Sequence, residues 1–150
     1  MRTVTGLAAA GLVVSLALAS DARVAPTRPA KDATPVTITY EGTLDCPELN
    51  GVRTGEEVLS GYHARSGPTD WFLASRAGGP GGVVLFAPGP QPGILELGYL
   101  GLFPQARGAG LGAELARFAL AHAAHSGAEW LNLSVDVRNE PALRLYRRHG

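Results

Sequence analysis

The sequence predicts one α/β domain of the α+β type: a mixed, mainly antiparallel sheet flanked by helices. Three observations carry this. Short apolar runs at Trp71–Arg76, Val83–Ala87 and Ile94–Phe103 follow one another across Gly- and Pro-rich turns, as consecutive antiparallel strands do. A long apolar stretch from about Ala109 to His125 opens directly out of a glycine-rich loop, with Glu114, Arg117 and His125 on its only polar side, which predicts a helix buried against the sheet. Beyond Ser126-Gly127, the segment Glu129–Val137 sets Leu131, Leu133, Val135 and Val137 against Asn132, Ser134 and Asp136, the alternation of a strand with two unlike faces.

The remaining elements are legible from their boundaries. Thr54-Gly55-Glu56-Glu57 is a helix-start signal, and Val58, Leu59 and Tyr62 make an apolar stripe through Glu56–Arg65. Ala-Gly-Gly-Pro-Gly-Gly between the first two strands reads as a hairpin turn. Asn139 suits an N-cap, with Pro141 in the first turn, for a last helix through Leu143, Leu145 and Tyr146 to His149. A glycine such as Gly150 ordinarily turns a helix end toward a further element.

Composition fits one globular domain, with 45% hydrophobic and 17% charged residues in a chain of 150. The ordered domain is expected over residues 37–150. Ahead of it, residues 1–36 pair a signal-like apolar run, Gly6–Ala19 after Arg2, with a Pro- and Ala-rich linker. The run is too short for a stable membrane span. Thirteen basic and thirteen acidic side chains cancel, so no nucleic-acid partner is expected. Arg144, Arg147 and Arg148 read as the solvated face of the last helix. Cys46 is the only cysteine, and His63, His122, His125 and His149 show no metal-ligand spacing, so no metal is expected. His122 reads as a histidine at the edge of the core.

The most specific stretch is Gln105-Ala-Arg-Gly-Ala-Gly-Leu-Gly112, lying between a strand and a helix. Glycines at 108, 110 and 112 let backbone approach a ligand closely, and the helix start offers unpaired N–H groups and partial positive charge. Its spacing is neither that of a dinucleotide fold nor of a P-loop, so another phosphate-bearing ligand is implied.

Strand, Gln-x-x-Gly-x-Gly loop, helix, strand and then Asn139, Ala142, Leu145, Tyr146 and Gly150 at their spacing resemble the GNAT superfamily of acyl-CoA-dependent N-acetyltransferases, from about Trp71 to Gly150. The segment Thr39–Gly51, with Leu-Asp-Cys-Pro at its centre, is similar to one ahead of this core in some bacterial members. The resemblance implies transfer of an acetyl group from acetyl-CoA to a small-molecule or protein amine by direct attack, in the cytoplasm, with a homodimer as a candidate assembly. It implies that Gln105, Arg107, Gly108, Ala109, Gly110, Leu111 and Gly112 hold the pyrophosphate. By the same likeness Asn139 bonds the pantetheine arm, and free backbone groups of Leu102 and Phe103 pair with its amides. Tyr146 matches the acid that protonates the departing thiolate, while Glu96, in mid-strand, is a candidate base or a structural hydrogen-bond partner. Cys46 reads as part of a turn rather than a nucleophile.

Two departures are expected to matter. Family members continue past the Gly150 position with strands that complete the sheet, which would leave 129–137 as an exposed edge. The apolar N-terminal run leaves export as an alternative to a cytoplasmic location, or marks a remnant of an upstream domain. A non-catalytic remnant that binds CoA, a nucleotide or a protein partner is the second reading.

Overall fold

The computed structural model describes residues 5–8, 11–17, 39–40, 42–45, 47–49, 51–65, 70–76 and 79–149. Cys46, Gly150 and the proposed linker lie outside them. The strands are β1 (Thr5–Ala8), β2 (Gly11–Ala17), β3 (Trp71–Arg76), β4 (Gly79–Pro88), β5 (Ile94–Leu102) and β6 (Trp130–Asp136). The helices are α1 (Gly55–Arg65), α2 (Leu111–His125) and α3 (Glu140–Arg147), with 3-10 turns at Pro47–Leu49 and Pro104–Ala106. One sheet runs β1-β2-β6-β5-β4-β3. It is mixed and mainly antiparallel, as the sequence predicts, with β5 and β6 the parallel pair. The strand expected to be an exposed edge is not one. Part of the run read as signal-like forms β1 and β2, and β2 pairs along β6 from Gly11↔Asp136 to Ala17↔Trp130.

Local chemistry sets the helix ends. Thr54 and Glu57 form a reciprocal capping box at α1, with Thr54 N–H donating to Glu57 Oε2 at 2.7 Å and Glu57 N–H to Thr54 Oγ1 at 3.2 Å. The Thr54 N–H and, after it, the Thr54 hydroxyl hold the Glu57 carboxyl below its usual range. α2 starts two residues later than the sequence suggests, because Gly110 is its N-cap at φ 81°, a left-handed conformation. Asn139 caps α3 as expected, its Oδ1 accepting from Ala142 N–H at 3.2 Å.

The two sheet faces carry separate cores. On one, α2 and α3 bury Leu111, Leu115, Phe118, Leu143 and Tyr146 against Val84, Phe86, Leu95, Leu97, Leu131 and Leu133. Each large apolar side chain so buried contributes about 2 kcal/mol relative to exposure. His122 belongs to this face, its ring 4.5 Å from Phe86 and 4.9 Å from Phe72. Burial holds its imidazole below the ordinary value, against the opposing pull of Asp70 3.5 Å away. On the other face Val58, Trp71, Val83 and Leu85 pack with Tyr40, Tyr62 and Tyr99.

A bulge in β5 shifts its phase. Leu85 pairs with Tyr99 but Phe86 with Leu97, leaving Gly98 as the extra residue. The Tyr62 hydroxyl donates to the Gly98 carbonyl at 2.7 Å, so the bulge's orphan acceptor is satisfied. Leu95, Leu97, Leu100 and Leu102 therefore all serve the α2 face. Glu96 is grouped by the sequence with Leu100 and Leu102. In the structure it shares the opposite face with Tyr99.

Candidate active site

β5 and β6 pair only over Ile94–Leu97 and Trp130–Leu133, after which β5 runs on to Leu102 without a β6 partner. The parting begins at the Gly98 bulge. A bulge bends and twists its strand, so beyond it β5 stays with β4 as far as Gly82↔Leu102 while β6 stays with β2 as far as Asp136. A cavity of about 710 Å³ opens at the gap. Its walls are the end of β5 (Tyr99–Leu102), the glycine loop, the first turn of α2, the inner side of α3 and the segment around residues 39–45.

The glycine loop forms one end. Gly108 and Gly110 have φ of 75° and 81°, and both line the cavity with Gly112. Gly110 caps α2 without any side-chain cap, and the first amides to find a helical partner are those of Ala113 and Glu114, both on Gly110 O. The amides of Leu111 and Gly112 make no hydrogen bond among the described residues, and the helix dipole adds positive potential there. Arg107 reaches back from the loop, its Nε donating to Leu102 O at 3.2 Å. Arg144 and Arg148, read in the sequence as a solvated face, are exposed and also line the cavity. An anion fits this end. Gln105 and Ala109 are exposed and lie outside the lining.

The β5 wall differs in detail from expectation. Phe103 is buried, its N–H donates to Gly81 O at 3.0 Å and its carbonyl accepts from Ala106 N–H at 2.9 Å. Neither group is free to pair with a ligand. Strand alternation instead turns the backbone of Leu100 and Leu102 toward the gap, since Phe103 and Gly101 face β4.

Tyr146 and Asn139 stand in the cavity wall together. Tyr146 is buried, and its hydroxyl makes no hydrogen bond among the described residues. Burial, and secondarily the Asp45 carboxylate, push its phenol above the ordinary value, so it holds its proton. Asn139 has its side-chain oxygen committed to the α3 cap, which leaves the NH₂ group to donate. Glu96 does not line the cavity. It sits before the bulge, opposite Ala87 on β4 and Asn132 on β6.

The wall at residues 39–45 was not legible as a site. Thr39 Oγ1 and the Tyr99 hydroxyl share a hydrogen bond of 3.1 Å, and Thr43 and Asp45 complete the lining. This wall is tied to the β6–α3 corner by charge. Asp45 Oδ1 accepts from Asp136 N–H at 2.9 Å, and Arg138 bridges the buried Asp136 carboxylate (2.6 Å) and Glu48 (2.8 Å). The Arg138 bond holds the Glu48 carboxyl below its usual range.

Tyr99 gives this wall a pH dependence. Burial pushes its phenol up to about 12, with the Thr39 hydrogen bond opposing. The folded state thus keeps the proton more tightly than the unfolded chain. Its stabilising contribution is intact below pH 10 and is lost as pH rises from there toward 12. A rise of that size is worth roughly 2.7 kcal/mol, reduced by partial exposure to about 2 kcal/mol. Urea midpoints are expected to fall across that window, and to fall less in Tyr99→Phe; an equal fall in both proteins would contradict this.

Among the described residues no group of three or more His, Cys, Asp and Glu could hold a metal ion, and no helix is long and apolar enough to cross a membrane.

A parallel pair thus splays beside a glycine loop at a helix start, and comparison with known proteins gives the family to which this arrangement belongs. The Acetyltransferase (GNAT) family matches residues 39–150. Mycothiol acetyltransferase of Thermobispora bispora is 39% identical over 88 residues, covering 55% of this chain and 30% of that protein. The enzyme of the same name from Streptomyces bingchenggensis is 36% identical over 83 residues, covering 55% and 27%. The chain thus aligns with less than a third of these relatives' length. Among solved structures, Ard1 from Thermoplasma volcanium superposes with TM-score 0.64 at 18% identity, covering 94% of this chain and 82% of that one. IAA acetyltransferase from Bacillus cereus gives 0.62 at 20%, covering 92% and 75%. At such identities the likeness is one of fold. The chain belongs to the GNAT acetyltransferase family.

Proposed function

We propose that the protein transfers an acetyl group from acetyl-CoA to a primary amine by direct attack. The observation that supports this most is the one cavity that joins the uncapped start of α2 to Tyr146. The Leu111 and Gly112 amides, Arg107 and Arg148 would hold the donor's pyrophosphate, and the Asn139 NH₂ with the gap-facing backbone of Leu100 and the Leu102 N–H would hold its pantetheine arm. Bound there, the donor supplies a thioester carbonyl. The amine nitrogen bonds to that carbon, the C–S bond breaks, and Tyr146 gives its proton to the departing thiolate. The proton left in excess on nitrogen departs through water, toward Glu96 or bulk solvent, and solvent returns a proton to the Tyr146 phenolate. Relatives named for mycothiol favour a small-molecule acceptor over a protein.

The full chain incubated with acetyl-CoA and a panel of small primary amines is expected to release free thiol only when both are present, with an N-acetylated product by mass spectrometry. Donor binding without amine-dependent thiol release across the panel would instead support a non-catalytic binding domain.

A further inference from the structure

The cavity is electrically lopsided. Among the described residues lining it, Arg107, Arg144 and Arg148 are cationic, and Asp45 is the one carboxylate. The cations belong to the glycine loop and the α3 region, where an anionic donor fits. Asp45 belongs to the wall at residues 42–45, which the Arg107 guanidinium also approaches, 3.9 Å from where a Cβ on Gly42 would stand.

Asp45 is also held half-paired. Its N–H donates to Thr43 Oγ1 at 3.1 Å, and its Oδ1 accepts from Asp136 N–H at 2.9 Å. The other carboxylate oxygen has no hydrogen-bond partner among the described residues. A fixed carboxylate with one oxygen satisfied by backbone and one left for the cavity is a receptor for a hydrogen-bonding cation. Its field reaches the reacting end of the cleft, since it helps to raise the phenols of both Tyr146 and Tyr99. Glu96 offers no alternative inside the lining.

We infer that Asp45 binds the ammonium group of the acceptor, so that the cleft selects cationic primary amines and places their nitrogen on the Tyr146 side. The inference rests on the acetyltransferase reading. Asp45 acts as a positioning residue and makes no covalent bond.

Benzylamine and benzyl alcohol, matched in shape but not in charge at neutral pH, test this by ligand-observed NMR titration of the full chain. The wild type is expected to bind benzylamine about tenfold more tightly. Asp45→Asn keeps an oxygen for Asp136 N–H but removes the charge, and is expected to bring the two affinities within about twofold. Equal affinities in the wild type, or a preference that survives in Asp45→Asn, would overturn the inference. Should that variant fail to fold, Thr43→Ala, which frees Asp45 from its orienting bond, is expected to weaken the preference; an unchanged preference would count against it. Acetyl-CoA affinity measured on the same samples separates the two claims, since a wild type that ignores acetyl-CoA sinks the transferase reading whatever the amine result.

Discussion

Gly110→Ala is expected to weaken acetyl-CoA binding by about thirtyfold or more, while Gly127→Ala leaves it unchanged. The two glycines have nearly the same backbone, φ 81° and 80°, and a Cβ would meet nothing within 4 Å at either. Each substitution therefore carries the same left-handed penalty, roughly 1–2 kcal/mol, and both are expected to lower Tm by a similar few degrees. They differ in place. Gly110 caps the start of α2 and lines the cavity, whereas Gly127 follows the far end of that 15-residue helix. A methyl group at 110 stands where backbone must approach a pyrophosphate, and relaxing the strain turns the helix-start amides away. Calorimetry on both variants with matched melting curves checks this. Equal donor affinities would remove the glycine loop from the site.

The second large effect concerns Tyr146. The substitution Tyr146→Phe keeps the buried ring and removes a hydroxyl that has no hydrogen bond among the described residues. Stability is therefore expected to stay within about 0.5 kcal/mol of the wild type. Catalysis is not. Loss of a positioned acid is expected to lower kcat by about a hundredfold to a thousandfold, with KM for acetyl-CoA within about twofold. A purely structural tyrosine would give the reverse pattern, a Tm shift with kcat intact.

Much of this cleft is written in local sequence. The glycine loop, the Asn139 cap and the Thr54–Glu57 capping box are short-range patterns that the structure carries, and β6 alternates as read as far as Val135, beyond which Asp136 is buried and Val137 exposed. What was illegible depends on contacts distant in sequence. Gly98 looks like an ordinary strand residue until Tyr62, 36 positions away, satisfies its carbonyl, and the bulge then moves Glu96 off the face of Leu100 and Leu102. Phe103 looked free until Gly81 took its amide. Asp45 carries no local signal, and its carboxylate is fixed in the cavity wall by Asp136, 91 positions later. The pairing of β2 on β6 joins segments far apart in the chain, which no local signal marks.

The central claim is that this cavity holds an acyl-CoA donor through the start of α2. Isothermal titration of the full wild-type chain with acetyl-CoA, with sodium acetate as the negative control, tests it most directly. A 1:1 isotherm with a dissociation constant in the micromolar range, abolished or strongly weakened in Gly110→Ala and retained in Gly127→Ala, is the predicted result. No heat of binding at millimolar acetyl-CoA would contradict it.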